Sequence, residues 1–433
     1  MPDIKINTDG NNSFDTAQVG DLFYATNFWN IDLSRNPLAR GEWTVPAGNN
    51  ISGDCYEQPV AGSADDTSHA TFCYTIPPQV DHGVNAQGEP NIDPPTGERS
   101  HVHAYPFILL GSLGGRRETW GTICNTTTAL ATSGRCGNSA VYDMRIPNTN
   151  INLPVRVDSL NTIKICFDIN KNFAGDASNI DNVFIDSYLH RIDKPDLWPE
   201  GFQNSWGDLN KINENATETW NLNFKLCLPE GFTATQATGG ALINSSAPIT
   251  IDGRQWGLFV KWETAGGDGG SAIRDVATGL PANGKCANSF FYISFVPWSA
   301  TLGTDSGFCN VTNMCINYDK FVDYVSSQEF KDRVLGVNGQ PPVSARGQSN
   351  YPKWIWEQVG QPPFPVDGRE RYVLDGIGLG NELWFSPNSA ESCIRWSNIS
   401  FEVNGQDFGK LTGPVKPNCK IARCTAVVSP NTT

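Results

Sequence analysis

The sequence predicts an all-β sandwich of two sheets with one packed helix. Three observations predict it. Short runs rich in Val, Ile, Phe, Tyr and Thr recur along the chain, separated by clusters of Gly, Pro, Asn and Asp. The 433 residues include 42 Gly and 28 Pro, and Leu/Glu/Lys heptads are absent, which excludes a coiled coil or a helical bundle. A single segment, Asp319–Leu335, has the apolar spacing of a helix.

Taken in order, the strand candidates are Gly20–Ala25, Val155–Asp158, Thr162–Ile169, Asn182–Ile192, Trp220–Leu228, Ile249–Trp262, Ser289–Val296, Arg371–Phe385 and Cys393–Val403. In the helical segment Phe321, Tyr324, Val325, Val334 and Leu335 fall largely on one face, and Gly336 suits a C-cap. Between the strands lie polar stretches at about 49–99, 195–218, 264–285 and 336–370. Their Trp, Cys and Pro mark them as ordered insertions in one domain spanning 1–410. The segment 411–433 is expected to be a peripheral tail.

Composition narrows the function classes. The net charge is −14 with no basic run, which argues against nucleic-acid binding, because that needs Lys and Arg to displace counterions. Hydrophobic residues at 39% supply a core, so disorder is excluded. No apolar run approaches the roughly 20 residues that span a bilayer. The 12 cysteines contain no Cys-x-x-Cys pair and accompany only 5 His, which favours a disulfide framework over zinc and implies an oxidising compartment. Near neighbours suggest local loops closed by Cys55/Cys73, Cys124/Cys136, Cys309/Cys315 and Cys419/Cys424. Glycan candidates are Asn11, Asn50, Asn125, Asn215, Asn244, Asn310, Asn398 and Asn431. The start, MPDIKINTDG, is polar, as expected of a secreted chain whose leader has been removed.

The chemistry is expected on two strands. Alternation along Asn182–Ile192 puts Phe184, Asp186, Tyr188 and His190 on one face, a set that suits solvent or a polar cleft. Along Arg371–Phe385, Gly376, Gly378, Gly380 and Glu382 share a face, with Trp384 beyond. Three alternating glycines fit either close approach of a flat ligand or a bulged strand packed beneath another element. Paired carboxylates over a sheet are what glycoside hydrolysis needs: one protonates the leaving oxygen while the other attacks or activates water. The 13 Trp would supply sugar-stacking faces.

These residues resemble glycoside hydrolase family 12, endoglucanases and xyloglucanases on a concanavalin-like jelly roll. Leu374, Ile377, Gly380 and Glu382 keep the offsets of that family's Tyr-Leu-x-x-Ile-x-x-Gly-x-Glu strand, with Tyr372 one residue further upstream. Asn27-Phe28-Trp29, His103-Ala104-Tyr105-Pro106, Phe167-Asp168-Ile169, Ile251–Trp256 and Ser294-Phe295-Val296 follow its other motifs in order. The resemblance implies Glu382 as acid/base and Asp168 as the carboxylate orienting the nucleophile. At the nucleophile Asp186 stands where the family has Glu, and Tyr188 and His190 replace its Met and Trp. One methylene less leaves the carboxylate short of the anomeric carbon. Asn27, Trp29, Tyr188, His190 and Trp384 are the substrate-binding candidates.

No cofactor is expected. The calcium-like start Asp168-Ile-Asn170 fails at Phe173 and Asn179. His101 and His103 lack an identifiable third metal ligand. Three functions follow. The first is a secreted glycosidase cleaving β-1,4-glucan or xyloglucan by a retaining mechanism. The others are a glycan-binding protein that has lost catalysis, and a structural surface glycoprotein. The partner is a polysaccharide or glycan, without nucleic acid or a membrane span, and with self-association through the insertions as a further expectation.

Overall fold

The computed structural model describes residues 3–7, 16–19, 22–25, 28–29, 40–46, 51–52, 57–60, 69–76, 103–104, 107–111, 155–171, 181–192, 216–228, 231–244, 247–263, 289–335, 364–383 and 390–408. The first ten strands are β1 (Asp3–Asn7), β2 (Thr16–Val19), β3 (Leu22–Ala25), β4 (Phe28–Trp29), β5 (Arg40–Pro46), β6 (Ile51–Ser52), β7 (Glu57–Val60), β8 (His69–Ile76), β9 (His103–Ala104) and β10 (Phe107–Gly111). The next six are β11 (Val155–Arg156), β12 (Ile163–Asn170), β13 (Asp181–Ile192), β14 (Ala216–Cys227), β15 (Ala241–Leu242) and β16 (Ile249–Ile251). The last six are β17 (Arg254–Glu263), β18 (Ser289–Pro297), β19 (Asn310–Asn317), β20 (Tyr372–Leu383), β21 (Ala390–Val403) and β22 (Gln406–Phe408). Two short helices, α1 (Ala234–Thr238) and α2 (Trp298–Thr301), precede the longer α3 (Tyr318–Val325) and α4 (Gln328–Leu335).

These strands form the all-β, two-sheet jelly-roll sandwich. The smaller sheet runs β19-β12-β21-β8-β5-β1-β7, and the larger runs β15-β17-β18-β14-β13-β20-β10-β3-β2-β6. Period-two alternation divides each strand. On β12, Ile163, Ile165, Phe167 and Ile169 are buried, while Lys164, Cys166, Asp168 and Asn170 face the other way. In the larger sheet Ile108, Leu110, Val183, Ile185, Trp220, Leu222, Phe224 and Leu379 face the same core. Pairing is antiparallel except for β14 and β18, whose parallel register is reached by a crossover carrying β15 to β17.

The expected single helix is two. Ser326 and Ser327 interrupt it, and Ser327 Oγ accepts from Phe330 N at 3.2 Å while donating to Tyr324 O at 2.6 Å. A serine in this position caps a new helix rather than continuing the old one. The pair fills the core beside the larger sheet. Phe321 lies 4.6 Å from Phe224 and 5.4 Å from Trp256, and Phe330 lies 5.9 Å from Trp220, ring centre to ring centre. Asp319 Oδ1 accepts from Ile163 N at 3.1 Å, tying α3 to the smaller sheet.

Two further expectations change. The stretch 49–99 contributes β6, β7 and β8, and β8 lies inside the smaller sheet between β21 and β5. The loop Cys309/Cys315 does not close on itself. Cys166 bonds Cys315, and Cys227 bonds Cys309, across sequence separations of 149 and 82. Sequence proximity misled here because Cys166 and Cys315 are directly opposed on neighbouring strands. The two bridges hold the ends of edge strand β19 to β12 and to the last residue of β14, so they join strands of both sheets. The insertions at 264–285 and 336–363, nearly all of 195–218, and the tail lie outside the described residues.

Candidate functional site

The face of the larger sheet turned away from the core carries the polar residues. Asp186 stands opposite Asn223 of β14 and Gly378 of β20, so these three share this face. Alternation on β14 is strict: Trp220, Leu222, Phe224 and Leu226 enter the core, while Asn221, Asn223 and Lys225 lie on the far side. Ser294 of β18, opposite Asn223, extends the row. All of these residues are buried, Asp186 completely and Asn223 to within 6% of its surface.

Among the described residues, two amide oxygens of this floor lack a donor. Asn221 Nδ2 donates to Asp186 Oδ1 and, at 3.4 Å, to Ser187 O. Oδ1 of Asn221 and Oδ1 of Asn223 are buried acceptors that no donor among the described residues reaches. Buried acceptors of this kind are uncommon and call for donors. The neighbouring Ser187 belongs to the other face, where its hydroxyl is paired with that of Tyr318 on α3.

Glycine shapes the other half of this face. Gly376, Gly378 and Gly380 are buried, and Gly380 is flanked by Phe184 of β13 and Phe107 of β10, both buried. The strand pair also has a register shift between Ser187 and Leu189, so the bulged-strand expectation holds together with the shared face.

Glu382 lies on the same strand face as Asp186, opposite Asn182, but four residues further along the register. At a strand rise of ~3.3 Å per residue the two Cα atoms are ~13 Å apart along the strands. Phe184, opposite Gly380, occupies the position between them. Trp29 belongs to β4, which pairs with β9, and Ala104 of β9 pairs with Leu383; its backbone therefore lies at the Glu382 end of the sheet. Tyr188 and His190 are on β13, opposite Asn221 and Thr219. Asn27 and Trp384 lie outside the described residues.

Asp168 is not brought to Asp186. It projects from β12 on the outward side of the smaller sheet, with the core and the larger sheet between the two carboxylates. Its Oδ1 accepts from Asn313 N at 2.6 Å and its Oδ2 from Asn398 Nδ2 at 2.5 Å. Both asparagines have positive φ, 54° and 52°. Beside Asp168 the registers with both flanking strands shift, so its carboxylate clamps irregularities on each side.

Of the glycan candidates, Asn244 is 3% exposed; its Nδ2 donates to Ala247 O at 2.8 Å and Trp256 O at 3.1 Å, and its Oδ1 accepts from Leu258 N at 2.7 Å. That amide is structural and leaves no room for a glycan. Asn310 and Asn398 are exposed, and the other five candidates lie outside the described residues. Among the described residues no group of three or more His, Cys, Asp or Glu could hold a metal.

What fold and face define together is an all-β sandwich whose larger sheet carries a polar, buried row on the side away from the core. No family model and no curated protein matches the chain. Solved structures similar to it include a family 12 xyloglucanase from Bacillus licheniformis, at 12% identity and a TM-score of 0.41, covering 92% of this chain and 99% of that one. An endoglucanase from Rhodothermus marinus gives 12%, 0.40, 93% and 99% in the same order. A family 11 xylanase from Neocallimastix patriciarum gives 9%, 0.38, 92% and 100%. Likeness at these values carries no argument about family or activity.

Proposed function

We propose that this protein binds β-linked polysaccharide at the outer face of its larger sheet and does not hydrolyse it through Asp186 and Glu382. The observation that supports the binding is the row of Asp186, Asn221 and Asn223, in which two buried amide oxygens find no donor among the described residues. Sugar hydroxyls are donors of the required kind. The carboxylate of Asp186 adds a stronger acceptor beside them. Against double displacement stands the register. Retaining hydrolysis wants carboxyls about 5 Å apart and inverting hydrolysis about 6.5–9.5 Å. An offset of four residues exceeds both unless the side chains lean far along the strands.

A second reading, a retaining hydrolase of β-1,4-glucan or xyloglucan with Asp186 as nucleophile and Glu382 as acid/base, is favoured by one observation: both residues share a face of directly paired strands. Asp168 has no part in it from its place on the other sheet. Export is part of the proposal, supported by two disulfides, which persist in oxidising compartments.

Affinity electrophoresis in xyloglucan or mixed-linkage glucan, with sedimentation on cellulose, tests the binding. Asn223→Leu is expected to weaken retention about tenfold, or about 1.4 kcal/mol. Its melting temperature should stay level or rise, because an acceptor that finds no donor among the described residues is removed. Equal retention by wild type and variant, or none by either, contradicts the proposal.

A further inference from the structure

We infer that Cys73 and Cys393 form a third interstrand disulfide, on the outward side of the smaller sheet. β8 and β21 pair in unbroken antiparallel register from Ala390↔Ile76 to Ser397↔His69, and Cys393 stands directly opposite Cys73. Opposed residues share a face, with Cα atoms about 4.5 or 5.5 Å apart according to the pair type. A disulfide takes Cα separations of about 4.4–6.8 Å, so neither pair type requires the backbone to move. The face follows from the neighbours: Ile394 and Trp396 are buried in the core, which puts position 393, and with it 73, on the opposite side.

The same sheet already contains a bond of this design. Cys166 and Cys315 are directly opposed on β12 and β19, 4.1 Å apart at Cα, on the same outward side. The expected local loop Cys55/Cys73 would leave Cys393 unpaired opposite a cysteine already used. Formation removes two electrons and two protons from the two thiols as the S–S bond forms. A low-molecular-weight disulfide such as oxidised glutathione accepts them by exchange and leaves as two thiols. The bond has a consequence for the fold, because β5, β1 and β7 are attached to the rest of the smaller sheet through β8. A Cys73–Cys393 link fastens that amino-terminal block covalently to the last long strand.

The test uses the full chain, denatured in N-ethylmaleimide, digested without reduction and mapped by mass spectrometry. The Cys166–Cys315 and Cys227–Cys309 peptides serve as internal standards. The expected result is a linked peptide joining Cys73 to Cys393 that is lost on reduction, with neither residue alkylated beforehand. Cys73 linked to Cys55 or to any other cysteine overturns the inference, as does maleimide on most of Cys73 or Cys393.

Discussion

Single side chains divide here into those that hold the sandwich and those that look unfinished. Asp168 is of the first kind, with both oxygens engaged by Asn313 and Asn398. Asp168→Ala should lower stability by about 1–3 kcal/mol in urea melts and leave glycan retention unchanged. A loss of retention without a loss of stability would return Asp168 to the site. Tyr324 behaves differently with pH. Burial pushes its hydroxyl above the ordinary phenol value of about 10, while Arg333 pulls it down and Glu329 adds to the rise. Folding therefore favours the neutral phenol. That contribution is fully present below about pH 10 and is lost as pH rises towards the folded value. Tyr324→Phe, which also removes a buried hydroxyl that has no partner among the described residues, should shift alkaline unfolding to higher pH; an unchanged alkaline midpoint would contradict this. Much of the floor was readable from alternation: Trp220 to Leu226 reads apolar, polar, apolar throughout, and Asn221 and Asn223 could have been placed on one face from that alone. What alternation cannot supply is register. It puts Asp186 and Glu382 on similar faces, but only strand pairing shows the four-residue offset.

Elements were legible where their pattern was local. Strands β12, β13, β14, β18, β20 and β21 fall where β-branched and aromatic runs predict them. Apolar spacing locates the helical segment but not its break, because Ser326-Ser327 is neutral in composition and acts through one cap bond. Disulfide pairing was illegible for a stronger reason: spacing along the chain says nothing about which strands become neighbours. The turn before β19 shows how tightly such connections fit. Gly307 has φ +91°, forms an isolated bridge with Cys227, and a Cβ there would lie 2.4 Å from Leu226 O. Gly307→Ala combines left-handed strain with a backbone collision and should destabilise the fold by about 2–4 kcal/mol, measured by denaturant melts. A cost under about 0.5 kcal/mol would mean that the turn adapts freely.

At the scale of the whole molecule the sandwich sorts the carboxylates by layer. Asp168 lies outside the smaller sheet, the hydrophobic core lies between the sheets, and Asp186 lies outside the larger one. Asp168 and Asp186, expected from the sequence in one site, are therefore separated by the whole sandwich. At β13, β14 and β20 the outer face of the larger sheet is covered as well as the inner one, so polar groups such as Asn223 have less than a tenth of their surface exposed, and recognition of a glycan there requires that cover to be displaced. On the proposed reading this face recognises a glycan and does not cut it through Asp186 and Glu382. Reducing-sugar release from xyloglucan, mixed-linkage glucan and cellulose, by the full chain and by Glu382→Gln side by side, tests it most directly. Equal, background release from both proteins is expected, and release by the wild type well above that of Glu382→Gln would contradict the proposed binding role.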